Sequence, residues 1–187
     1  MIEEIVVAHT KAWIERLVIG ENLCPFAAVP YRKERIRYRV LTSDLSAEEW
    51  ANTLLSEGRL LLDPDQAIPL DTTLLILPQG WSVFADYLEL VAVLEDIIAD
   101  AGWAGDIQLA TFHPDYQFAQ SEKDDPANYT NRSPYPMLHL LREDLMEEAL
   151  IHYPHPERIP EVNVARMRAM GAHTLEELLQ DIKSIKE

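Results

Sequence analysis

Two residues apart, His113 and Asp115 open the stretch of this chain richest in groups that can move protons or hold anions. On an extended backbone such side chains point the same way. The carboxylate then fixes the imidazole's tautomer and readies it as an acid or base near neutral pH. Downstream, Asn128, Asn131, Arg132 and Ser133 cluster ahead of Pro134, and Arg142 follows the next apolar run. Arg132 and Arg142 suit a bidentate clamp on a carboxylate or phosphate. Tyr116, Asn128, Asn131 and His139 complete the candidate substrate-binding set. A plainer reading stands beside it: Asn and Ser bond their own backbone in turns, and the arginines neutralise Asp124, Asp125 and Glu143.

His113, Asp115 and His139 are also an alternative metal-ligand set. Their spacing is far less specific than HExxH, and a histidine between core leucines reads first as a hydrogen-bonded core residue. Neither a metal nor a cofactor is therefore expected. Cys24 is the only thiol. It serves as an optional nucleophile, but no basic residue lies within four positions to stabilise a thiolate, and free cysteine is ordinarily a small buried hydrophobe.

These groups need elements to hold them. Arg35–Leu41 alternates apolar and basic residues as a half-buried strand does. Its three arginines suit either an anion or, more simply, surface carboxylates and the guarding of a sheet edge. Residues 72–77, 107–112 and 137–141 are short apolar runs that read as buried strands. Helical periodicity marks 2–19, with Gly20 and Asn22 as its cap. It also marks a segment opened by the capping box Ser46–Glu49 and fading near Gly58, and another from about Ser82 to Gly102 or Gly105. After the fourth strand, Asp144 with Glu147 signals a helix from Leu145. Pro160 opens a helix closed by Gly171, and Thr174 with Glu177 caps one running toward Lys186.

Strands separated by helices imply parallel pairing. The expected fold is α/β: a mostly parallel sheet of about four strands, helices packed on it, a helical C-terminal tail, and a single domain over residues 1–187. In such sheets ligands gather beyond the C-terminal strand ends. Three loops qualify: Leu41-Thr42-Ser43-Asp44, Pro78-Gln79-Gly80, and the long loop from His113 to Tyr135. The last has no periodic pattern, and loops this long in compact domains are usually functional. It also carries Tyr116, Phe118, Tyr129 and Tyr135.

The composition narrows the classes. Thirty-two acidic against 16 basic residues give a net charge of −16, a field that repels nucleic-acid backbones and anionic membranes. No run reaches the ~18 apolar residues of a membrane span, and the N-terminal residues lack a signal-peptide pattern. One cysteine permits no internal disulfide, so a reducing, cytoplasmic setting is expected. Oligomeric state is not legible.

The strings NLCPFA, TFHPDYQFA, TNRSPYPMLHLLRE and IPEVNVARMRAMG resemble the bacterial domain of unknown function family 1415. The resemblance runs from the first helix to the tail; Gln120 stands where that family tends to have glycine. It implies no reaction or cofactor. It does point to Cys24, His113, Asp115, Asn131, Arg132, His139 and Arg142 as the pattern to test. The expectation is a hydrolase or group-transfer enzyme acting on a small anionic metabolite, with His113 as acid/base, Asp115 orienting it and the two arginines holding the anion. The alternative is a binding or assembly protein that docks a partner through the aromatics of loop 113–135.

Overall fold

The computed structural model describes residues 2–41, 45–67 and 69–186. Thr42, Ser43 and Asp44 of the first candidate loop lie outside the described residues. Strands β1 (Ile36–Val40), β2 (Thr72–Ile76), β3 (Ile107–Phe112) and β4 (Met137–Arg142) form one sheet in the order β1-β2-β4-β3.

All four expected strands are present, but the sheet is mixed rather than mostly parallel. Only the β1–β2 ladder is parallel, and β4 runs antiparallel to both β2 and β3. The loop after β3 explains the difference. Phe112 at the end of β3 pairs with Met137 at the start of β4, so the segment between them closes a wide hairpin, and a hairpin return is antiparallel. β4 thus fills the gap between β2 and β3.

Helices cover both faces. On one, α3 (Ala47–Leu62) and α4 (Phe84–Asp100) close a core around Leu54, Leu75, Leu94, Leu138 and Leu140. The other face carries α1 (Ile2–Trp13) with its π-helical continuation Ile14–Ile19, α6 (Ile159–Met170) and α7 (Ala172–Lys183). These pack around Leu17, Leu74, Ile76, Met137, Met167 and Ile182. Covered on both sides, β2 is buried at every position, its two threonines included, and β4 is buried at Met137, Leu138 and Leu140.

Local signals place several helix boundaries. The Ser46 hydroxyl accepts from the Glu49 amide at 3.3 Å while Glu49 accepts from the Ser46 amide at 2.8 Å, so α3 begins where its capping box puts it. It does not fade at Gly58. A Cβ there would lie 2.3 Å from the Trp103 ring, so this glycine makes room for a tryptophan inside a continuing helix. Helix α5 (Glu143–Ile151) starts before Leu145. A short α2 (Ala28–Arg32) spans Pro30, which had masked it.

β1 is an edge strand, and its arginines find carboxylates. Arg37 binds the buried Glu57 through two hydrogen bonds of 2.6 and 3.0 Å, with Arg39 3.8 Å from the same group. Arg35 lies 3.6 Å from Asp71. Among the described residues, no helix is long and apolar enough to cross a membrane.

Candidate functional site

β1, β2 and β3 end, and β4 begins, at one end of the sheet. There the chain from His113 to Pro136 folds back on itself. His113 is fully buried, with its ring 5.2 Å from those of both Phe84 and Tyr87. Its Nε2 lies 2.9 Å from the Trp81 carbonyl, and its Nδ1 accepts the Asp115 amide at 2.9 Å. A carbonyl only accepts and an amide only donates, so Nε2 carries the proton and Nδ1 is bare. Burial lowers the pKa of the ring and keeps it neutral. Both nitrogens are spent on backbone. Asp115 supplies its amide to this arrangement while its carboxylate is exposed.

Asn128, Asn131 and Arg132 also spend their polar groups on backbone. Asn128, fully buried, accepts from the Phe118 amide at 3.1 Å and the Ser121 hydroxyl at 2.6 Å, and donates to the Glu122 carbonyl at 2.8 Å. Asn131 donates to the Thr111 carbonyl at 3.0 Å. Arg132 donates to the carbonyls of Tyr116 at 3.2 Å and Lys123 at 2.7 Å and lies over the Tyr129 ring. These side chains supply the ladder that a loop lacks.

Two expected partners are elsewhere. Arg142 closes β4 at the opposite end of the sheet and binds Asp144 bidentately at 3.0 and 2.5 Å, so it forms no clamp with Arg132. His139 sits mid-strand across from Leu74 and Ala110, hydrogen-bonded to Thr72. Burial alone pushes it down to about 4. Neither histidine offers a metal the geometry expected with Asp115, and among the described residues no three His, Cys, Asp or Glu side chains are grouped as ligands.

Several contributors carried no sequence signal as site residues. His9 of α1 bonds the Tyr135 hydroxyl at 2.6 Å, and Trp13 donates to the Arg132 carbonyl at 3.1 Å. Trp81, whose carbonyl holds His113, adopts a left-handed φ of 53° directly after Gly80 at 72°. For a bulky residue that conformation is strained. The dipeptide Gln79-Gly80 hinted at a turn, but nothing marked the residue after it.

Next to these bonds lies a row of rings, half-buried at Phe84 and Tyr116 and exposed at Phe118. Phe84 lies 5.0 Å from Tyr116, and Tyr116 lies 5.0 Å from Phe118. Phe118 is 37% exposed, and Val83 and Leu88, on either side of Phe84 in the chain, are exposed as well. Tyr129 and Tyr135, by contrast, are packed into the second core.

A family model described as a protein of unknown function (DUF1415) matches residues 5–177. The chain belongs to this family. No curated protein and no solved structure matches it.

The strings that carried the resemblance meet in space. Asn163 of the tail donates to the Leu23 carbonyl at 2.7 Å, and Arg166 binds Glu21 at 2.7 Å, tying the NLCPFA turn to α6. Arg168 binds Asp125 at 3.1 and 2.7 Å, which ties the same helix to the long loop and pulls that carboxyl down to about 2. Cys24 lies in the turn, partly buried, and burial raises its thiol pKa. That environment favours the protonated form over a nucleophilic thiolate.

Proposed function

We propose that the protein is a docking module: loop 113–135 holds Tyr116 and Phe118, with Phe84, as anchors for a basic segment of a partner protein. One observation carries this reading. Two part-buried hydrogen bonds of the loop hold the backbone of the two anchors, Asn128 the Phe118 amide and Arg132 the Tyr116 carbonyl. Rigid aromatic anchors lose little entropy on binding and dominate interface energetics. The acid/base reading loses support because His113 keeps no free ring nitrogen.

Charge names the partner. Asp86 and Glu89 on the helix of Phe84, and Asp115, Glu122 and Asp124 in the loop of Tyr116 and Phe118, are exposed, as is Lys123, on a chain of net charge −16. Such a rim attracts lysine- and arginine-bearing segments and repels a second copy of this chain.

The test is fluorescence anisotropy with a labelled peptide alternating lysine and leucine around one tryptophan, against its glutamate-for-lysine counterpart. The basic peptide binds, more weakly as salt rises, and Phe118→Ser weakens it about tenfold without moving the melting temperature. Asn128→Ala loosens the Phe118 amide in hydrogen exchange and weakens binding as well. Equal affinity for both peptides, or indifference to Phe118→Ser, overturns the reading.

A further inference from the structure

We propose that a hollow between α1 and the edge strand β1, lined by Lys11, Tyr31, Arg32, Glu34, Ile36 and Tyr38, binds a small organic anion with a flat apolar body. Its volume of 360 Å³ falls in the range typical of small-molecule sites. It lies away from the long loop, so this inference stands apart from the docking reading.

The walls set the shape of the ligand. Ile36 and the rings of Tyr31 and Tyr38 belong to the apolar packing of that sheet face, and together they offer a surface for a ring to lie on. The cations set its charge. Arg16, Arg35, Arg37, Arg142, Arg166 and Arg168 all stand within ion-pair distance of carboxylates. Lys11 and Arg32, like Lys33, Arg59 and Lys123, have no carboxylate partner among the described residues, and they are the two cations that line this hollow. The Lys11 ammonium lies 5.4 Å from the Tyr38 ring centroid. Arg32 spends only its Nε, on the Ala28 carbonyl at 3.1 Å, which leaves its terminal nitrogens for an anion.

Two further groups refine the fit. The Tyr38 hydroxyl has no hydrogen-bond partner among the described residues, and burial raises its pKa, so it remains a donor. Glu34 sits on the rim with a left-handed φ of 54°, a strained conformation for a residue with a side chain. Its charge leaves the lining at net plus one, which suits a monoanion over a dianion. Glu15, hydrogen-bonded to the Tyr31 hydroxyl, brings the surroundings to about neutral, so an anion is held only through direct contact with Lys11 and Arg32.

Calorimetric titration with phenylacetate tests the site, with phenylacetamide and inorganic phosphate as comparisons. Phenylacetate binds and raises the melting temperature, while phenylacetamide and phosphate bind at least about tenfold more weakly. Lys11→Gln combined with Arg32→Gln weakens phenylacetate about tenfold or more. Both side chains are exposed, so the unliganded stability of that variant matches the parent. Tyr38→Phe weakens binding less, and Phe118→Ser leaves the titration unchanged. No phenylacetate binding at millimolar concentration, equal binding by the double variant, or phosphate binding as tightly as phenylacetate overturns the proposal.

Discussion

His113 and Trp81 are joined by a hydrogen bond of 2.9 Å from a buried imidazole to the carbonyl of a left-handed tryptophan. The bond links the loop after β2 to the loop after β3. Without it, the carbonyl of that strained residue would need another partner. His113→Ala removes that partner, strands the Asp115 amide and opens a cavity between Phe84 and Tyr87. Each orphaned group costs about 1–3 kcal/mol, so urea denaturation of the variant shows a loss of roughly 3 kcal/mol or more. His113→Leu fills the space but leaves both backbone groups unpaired and remains destabilised. An unchanged denaturation midpoint in both variants would show that the imidazole is not the fastener described.

The same histidine and His139 make stability depend on pH. Burial lowers both below the ordinary value of 6.5, His139 to about 4. As pH falls below 6.5 the unfolded chain takes up protons that the folded chain refuses, so unfolding gains. Their contribution is complete above about pH 6.5 and is lost progressively as pH drops toward 4. Melting temperature measured from about pH 8 to about pH 4 falls through this window, and a His139→Leu variant falls less steeply. A flat profile in the parent contradicts the burial of these rings.

Gly58 shows how a sequence signal misleads. Glycine in a helical pattern reads as a weak point or an end, yet α3 continues to Leu62 because Trp103 packs against that backbone. Gly58→Ala gains helix propensity of just under 1 kcal/mol. It also drives a Cβ to 2.3 Å from the indole, an overpacking that costs about 1–3 kcal/mol. The net expectation is a lower melting temperature, together with a change in Trp103 fluorescence. A rise in melting temperature would mean that the ring swings away freely.

Periodicity carried the strands and most helices because each buries one continuous stripe or run, and burial is written into hydrophobicity. Ser46 with Glu49 was legible for the same reason of locality: both halves of that motif lie within one turn. β4 was legible as a strand but not in its direction, since the choice depends on a hairpin closed across the whole of loop 113–136. The loop residues stand out in the sequence, but their roles were not readable there. Asn128 and Arg132 look alike whether they face a substrate or a backbone amide or carbonyl ten or so positions away, and only folding decides which. Arg142 seemed close to Arg132 along the chain; a fully traversed strand separates them.

The ion pair on the edge strand gives a prediction with a built-in asymmetry. Glu57 is 5% exposed, whereas the Arg37 side chain reaches the surface and is 37% exposed. Arg37→Leu leaves a buried carboxylate whose remaining cation, Arg39, stands 3.8 Å away. Glu57→Leu instead leaves two guanidinium groups free to turn toward water and puts an apolar side chain into the α3 interface. An uncompensated buried charge costs several kcal/mol, whereas a charge that can reach solvent costs little. The arginine variant is therefore destabilised by about 3 kcal/mol and the glutamate variant by about 1 kcal/mol. Replacing both with leucine recovers most of the arginine loss, because the stranded carboxylate is gone. Chemical denaturation of the three variants reads the order directly. Equal losses in the two single variants would mean that water reaches Glu57 and that the carboxylate was never desolvated.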